Sequence, residues 1–382
     1  MEATLTAREQ AYVAACRDEE IELIRELCGI PAPSHQEEKR AEFCLEWLKR
    51  AGAKGAYLDE AKNVVCPIGE PSGNVAVFTA HTDTVFPDRE PMPWQEENGR
   101  LYSPGVGDDT ANLAALLLTA RYLLQNRLAP AGGALFVCNS CEEGLGNLKG
   151  VRQIMRDYAG KVGYLVSFDG YSTGICGDAV GSKRYRVEIL TEGGHSYGKF
   201  GNRNAIHYLS SMITQLYTMK VPDLGSKTTY NVGQISGGTS VNTIAQQAEM
   251  LYEYRSDRES CLKLMDEFFA GVVASYRAMG VQVNVELLGE RPCTGPVPRE
   301  AQQALIHRAA QVLRAAVERE PAVSAGSTDC NIPLSLGIPA VCFGTCQGGG
   351  AHTRGEWIDR GSLPDGLAAA MMMALWDCAG RK

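Results

Sequence analysis

Apolar positions along the chain change period twice. In the first part, short, largely apolar runs at 74–80 (NVAVFTA), 133–138 and 162–168 predict buried strands, and stretches of helical spacing at 111–125 and 151–158 predict the helices between them. That rhythm belongs to an α/β fold with a largely parallel mixed sheet covered on both faces. Near the start, Ser34 followed by Glu37 has the spacing of a capping box, opening a helix that runs through Phe43, Trp47 and Leu48.

From about Ser182 the strands become half-polar: Arg184 to Ile189 alternates, and so does Val281 to Leu287. Alternation of this kind predicts an antiparallel sheet with one wet face. Two amphipathic helices lie between them, one with Ile206, Leu209, Ile213 and Leu216 inward and one over 261–279. After Pro292 the helix and strand alternation resumes and ends in an Ala- and Met-rich helix near 367–378, whose Met371, Met372 and Met373 suit a buried face better than a soft-metal site. The expected organisation is a main α/β domain built from 1–181 and 292–382, with an inserted α+β domain at 182–291.

Composition narrows the class of partner. The 382 residues include 45 acidic and 37 basic side chains, a formal charge of −8, without a basic run of the kind nucleic acid requires. No window approaches the roughly 18 apolar residues that span a bilayer, and the opening MEATLTAREQ lacks the pattern of a secretion signal. Thirteen cysteines, an odd number in a long chain, fit free thiols in a reducing compartment, and Cys138 and Cys141 form a lone CxxC without a second pair. The expectation is a cytoplasmic protein with small-molecule substrates, and neither a nucleic acid nor a membrane as partner.

Candidate chemistry collects where the predicted strands end. The first runs into His81-Thr82-Asp83, the second into Glu142-Glu143 and the third into Asp169, so three separate segments deliver acids and an imidazole to the edge where α/β sheets bind ligands. A ligating histidine usually passes its other ring N–H to a carboxylate, and Asp83 is placed for that, although a His-x-Asp can also merely cap a strand. Asp108 and Asp109 sit between a Gly-rich turn and an apolar helix, where helix capping is the plainer alternative. Adjacent glutamates after a buried strand repel unless a cation or shared proton compensates them. His352, beyond Gly348-Gly349-Gly350, is free to reach inward. Taken together, two histidines and several carboxylates suit two divalent ions of zinc type that share a bridging carboxylate.

The ordered set HTDTVF, GVGDDTAN, EEGLGNLKG, SFDG, GGHSYG, NTIAQQAEMLYEYR and AHTRGE resembles the dinuclear zinc family holding glutamate carboxypeptidase, tripeptidase T, aminoacylase and acetylornithine deacetylase, over nearly the whole chain. The resemblance implies that His81 and Asp169 hold one metal, Glu143 and His352 the other, and that Asp108 bridges them. It makes Glu142 the general base and Asp83 the residue that orients His81, and it implies a cis Asp108–Asp109 bond. His195 is similar to the family histidine that reaches a neighbouring subunit's site and steadies an oxyanion, which implies a homodimer through the inserted domain. Asn242, Arg255 and Ser327 match substrate-facing positions, with Arg255 suited to a terminal carboxylate.

Two features depart from the family pattern, Cys141 directly before the glutamate pair and the absence of proline in Asn242-Thr243-Ile244-Ala245, and neither removes a ligand. His35, His207 and His307 read as surface or packing residues. The implied activity is a peptidase acting on di- or tripeptides with two zinc ions per subunit, or manganese or cobalt in their place. An N-acyl-amino-acid deacylase of the same mechanism is the alternative. A silent metal-binding scaffold would be expected to lack a ligand or the base, and here all are present.

Overall fold

In the computed structural model, which describes residues 3–221, 225–317 and 320–378, the largely apolar runs form the centre of an eight-stranded mixed sheet. Its order is Tyr57–Leu58, Val64–Ile68, Ala134–Asn139, Val75–His81, Val162–Phe168, Ala340–Phe343, Gly174–Ala179 and Ala322–Gly326. The four strands from Ala134–Asn139 to Ala340–Phe343 are mutually parallel. Antiparallel neighbours flank them on both sides.

Every residue of Val75–His81 is buried, because successive side chains enter two different cores. Ala76, Phe78 and Ala80 pack with residues of the helices Ala7–Cys28, Ala111–Asn126, Arg299–Val317 and Leu363–Leu375. Val75 and Val77 pack with Val151 and Ile154 of the helix Lys149–Asp157. Met371, Met372 and Met373 lie in the first of these cores. All thirteen cysteines are free and twelve are buried.

The chain divides into two compact units, one running to Ala179 and resuming at Gly295, the other Val180–Thr294. The second unit holds an antiparallel sheet in the order Thr228–Gly237, Gln247–Ser256, Gly181–Leu190, Gln282–Arg291. One face of it, with Val187, Ile189, Met250, Tyr252 and Tyr254, is buried against the helices Ala205–Leu216 and Glu259–Ala278.

Two local expectations are corrected. The helix Ala205–Leu216 buries Ala205, Leu209, Met212 and Leu216, while Ile206 is 40% exposed and Ile213 only partly covered. Positions 205, 209, 212 and 216 follow the 3.6-residue period, and Ile206 is rotated by about 100° from that stripe. Ser34 and Glu37 do not form a capping box: the helix runs Glu38–Arg50 without a side-chain cap bond, because both side chains bond to segments at the strand ends instead.

One buried acid belongs to the fold rather than to the site. Glu20, on the helix Ala7–Cys28, is 1% exposed and neither carboxylate oxygen has a hydrogen-bond partner among the described residues. Burial pushes its carboxyl well above the usual range. The folded chain therefore keeps a proton that the unfolded chain releases, and stability falls as pH rises from the ordinary carboxylate pKa towards the folded one. Glu20→Gln is expected to raise the thermal midpoint at pH 8 by a few degrees and to change it little near pH 4, as read by calorimetry at both pH values.

Candidate metal centre

Parallel register brings the sequence-separated acids together. His81 pairs with Asn139 across adjacent strands, so the segments that follow both strands leave the sheet at the same edge. Thr82 N donates to Asn139 O at 2.7 Å and continues that alignment past the strand ends. Asp169 leaves the next strand, and its N–H bonds Phe343 O at 3.2 Å. Asp108 arrives on the turn Val106–Thr110, entered through Gly105 at φ 76°. The Asp108–Asp109 peptide is cis. His352 follows the Gly348–Gly349 strand and has φ 63°.

Asp108 stands at the centre. Its Oδ1 lies 3.0 Å from His81 Nε2 and its Oδ2 lies 3.1 Å from His352 Nε2, which is also 3.0 Å from Glu143 Oε1. Two sets of ligand atoms share this carboxylate, His81–Asp108–Asp169 and Asp108–Glu143–His352, each with its atoms within 4.8 Å of one another. A third set joins His81, Glu142 and Glu143.

The electrostatics favour added positive charge. Burial pushes the Asp169 carboxyl up to about 7, with the Asp108 charge adding to it. Hydrogen bonds donated to the Asp108 and Glu143 carboxylates push His352 up to about 10. Burial works against a charged His81, yet Asp109, Asp108 and Asp83 hold its pKa well above the ordinary value. Burial would likewise raise Asp108, but the two histidines keep it below the usual carboxylate range. Imidazole nitrogens and carboxylates in this pattern are donors for divalent ions of zinc type, so the residues fit a dinuclear centre.

A surrounding layer fixes these donors, and much of it lies outside the candidates read from the sequence. His81 Nδ1 has the Asp83 carbonyl as its nearer partner at 2.9 Å, with the Asp83 carboxylate at 3.4 Å. The Asp83 carboxylate instead accepts from Glu142 N at 2.9 Å, Glu143 N at 3.0 Å and Ser34 Oγ at 2.6 Å. Glu356, fully buried, accepts from Gly105 N, Gly107 N and Asp108 N at 2.6–3.0 Å. Burial and the Asp108 charge push its carboxyl up to about 7, against those three amides. Asp109 accepts from His81 N and from Asn112 Nδ2, each at 2.7 Å. Glu356, Asp109 and Asn112 all lie within the motifs named above, but apart from the Asp109–Asn112 pair their partners are 28 to 251 residues away or on the backbone, where spacing carries no signal.

The remaining candidates divide between the units. Ser327 follows the strand Ala322–Gly326 in the first unit. Its neighbour Asp329 accepts from Asn139 Nδ2 at 2.7 Å. In the second unit, His195 pairs with Thr243 and Ser196 N bonds Asn242 O, so His195 and Asn242 are adjacent. His195 Nδ1 accepts from Tyr197 N at 3.3 Å and Gly198 N at 3.2 Å, which leaves Nε2 as the protonated, exposed nitrogen of the neutral ring. Arg255 Nε and Nη2 are both engaged by Glu253 at 3.0 Å. His35, His207 and His307 are exposed. Cys141 is 1% exposed and donates its thiol to Glu37.

Comparison with known proteins agrees with this fold. The succinyl-diaminopimelate desuccinylase of Corynebacterium glutamicum is 26% identical over 345 residues, covering 88% of this chain and 90% of that protein. A tripeptidase from Staphylococcus aureus superposes with a TM-score of 0.76 at 22% identity, covering 94% of this chain and 98% of its own. The YXEP protein of Bacillus subtilis, described as a dinuclear metal-binding peptidase, superposes with a TM-score of 0.63 at 18% identity, covering 95% and 98%. The sequence itself matches Peptidase family M20/M25/M40 over residues 77–375, and with two ligand sets meeting at Asp108 the chain belongs to that family of metal-dependent hydrolases.

Proposed function

We propose that the protein hydrolyses the amide bond of short peptides with a free terminal carboxylate, as a di- or tripeptidase, using zinc, or manganese or cobalt in its place. The observation that carries this reading is the Glu142-Glu143 turn: Glu143 lies in a set that shares Asp108, while neither Asp108-sharing set needs Glu142. His81 and Asp169 would hold one ion and Glu143 and His352 the other, with Asp108 between them. Ions bound there would supply Lewis acidity, lowering the pKa of the attacking water and polarising the scissile carbonyl.

The chain's own groups do the rest. Glu142 takes the proton from the attacking water and returns it to the leaving amine. His195, with its Nε2–H outward, donates to the oxyanion of a neighbouring subunit's substrate. Asn242 and Ser327 contact the substrate, and Arg255 takes its carboxylate in exchange for Glu253. An N-acyl-amino-acid deacylase is the second reading, favoured by the likeness to a desuccinylase over most of the chain. The two differ in whether a free amine or an acyl group occupies the far end of the pocket.

Mass spectrometry of the zinc-loaded protein with a pool of dipeptides, tripeptides and N-acyl amino acids separates them. Loss of peptides with release of free amino acids supports the peptidase, selective loss of acylated compounds replaces it with the deacylase, and no loss of any amide removes both.

The dimer has its own test. His195→Ala is expected to lower turnover by about 100-fold. In a two-fold dimer, mixing it with Glu142→Gln subunits rebuilds one intact site in each mixed dimer, so activity returns to roughly a quarter of the wild-type level. Mixtures no more active than the sum of the parts would place His195 in its own subunit's site or outside catalysis.

A further inference from the structure

Three side chains at the start of the helix Glu38–Arg50 bind the ends of two strands that carry the site. Ser34 Oγ donates to Asp83 Oδ2 at 2.6 Å, and the same carboxylate holds the backbone N–H groups of Glu142 and Glu143. Glu37 is fully buried, and its Oε1 accepts from Cys141 N at 3.0 Å, Cys141 Sγ at 3.1 Å and His35 N at 2.9 Å. Arg40, 2% exposed, donates through Nη1 to Thr82 O at 3.0 Å and through Nε and Nη2 to Ile30 O.

Apart from the bond to the Cys141 thiol, each contact falls on backbone or on a carboxylate that itself holds backbone. Cys141, the residue before Glu142, has φ 55°, a left-handed conformation that costs a non-glycine residue energy. Glu37 binds it at both N–H and thiol, which opposes relaxation of the turn that aims Glu142 and Glu143. Arg40 braces Thr82, between His81 and Asp83. A buried guanidinium beside the Asp83 and Glu37 carboxylates also offsets their charge where water is excluded.

We infer that Ser34, Glu37 and Arg40 are positioning residues for Glu142, Glu143 and His81, acting through the Asp83 carboxylate and the backbone of Cys141 and Thr82. The inference rests on the proposed roles of Glu142 and Glu143 as base and ligand. The spacing that resembled a capping box thus serves the strand ends rather than the helix.

The test reads metal binding as well as turnover. Zinc affinity is measured by competition with a chromophoric chelator, and ligand geometry by the absorption bands of the cobalt-loaded protein. Ser34→Ala and Glu37→Ala are expected to weaken the more loosely held ion by about 10- to 100-fold and to shift the cobalt bands. They should lower kcat more than they raise KM. Glu37→Gln keeps an oxygen for the Cys141 N–H and is expected to recover most of the affinity. Glu38→Gln, which loses only an exposed ion pair with Lys62, is expected to match the wild type.

Wild-type affinities and an unchanged cobalt spectrum in both alanine variants would overturn the inference. Should Glu37→Ala fail to fold, Ser34→Ala, which removes a single hydroxyl, decides the matter. A wild type that binds two ions but cleaves no amide defeats the proposed function, and the affinities of the variants then decide positioning by themselves. A wild type that binds no zinc defeats both.

Discussion

Glu142→Gln is expected to keep both metal ions and to lose about 10³-fold in turnover, with KM little changed. The substitution preserves the size of the side chain and the backbone bond from residue 142 to Asp83 Oδ1 at 2.9 Å, so the turn keeps its shape. What it removes is the proton acceptor. Residue 142 is 5% exposed, so few solvent molecules stand ready to replace a buried base. Metal content by elemental analysis and steady-state kinetics on the same sample check the result. Loss of an ion would make Glu142 a ligand, in keeping with the third donor set of His81, Glu142 and Glu143. Turnover near that of the wild type would remove it from proton transfer.

Asp108→Asn is expected to have a larger effect on metal binding than loss of any other single ligand. In the proposed assignment the Asp108 carboxylate alone is common to the two ion sites, the sets His81–Asp108–Asp169 and Asp108–Glu143–His352, so weakening it touches both ions at once. A carboxamide keeps one oxygen but presents an N–H₂ to a histidine, where Asp108 now offers an oxygen to each of His81 and His352. Metal content is expected to fall to one ion or fewer per chain and turnover by at least about 10³-fold, because the attacking water and the carbonyl lose their shared activation. His352→Ala, which removes a half-exposed ligand from one set only, is expected to spare the ion beside His81 and Asp169. Two ions retained with full affinity in Asp108→Asn would rule out bridging by this residue.

The surrounding layer holds the candidate ligands in this charged arrangement. Glu356 and His352 belong to one short segment, four residues apart, and the segment reaches Asp108 twice: His352 at its carboxylate and Glu356 at its backbone N–H. Asn112 ties the same turn to Gly170, next to Asp169, and to Thr345. A change at one strand end is therefore felt at the others, and single substitutions in this layer are not expected to act independently.

Several features of this protein were determined by local sequence. Largely apolar runs without polar alternation predicted the buried strands because a strand covered on both faces has no polar side to show. The half-polar alternation around residues 184–189 and 281–287 predicted the antiparallel sheet for the converse reason. The candidate metal donors stood out because each follows a buried strand or a Gly-rich turn, where a polar residue without a function is costly. Tertiary structure alone decided the partners. Ser34 and Glu37 have the spacing of a helix cap, yet they reach residues 49 and 104 positions away. Ile206 has the character of a core residue and lies outside, because the phase of its helix follows packing against the sheet. Asp83 was expected to serve its neighbour His81, and its carboxylate chiefly holds Glu142 and Glu143. In each case the local pattern specified the kind of residue, while the identity of its partner depended on which strand ends the parallel register brought to one edge of the sheet.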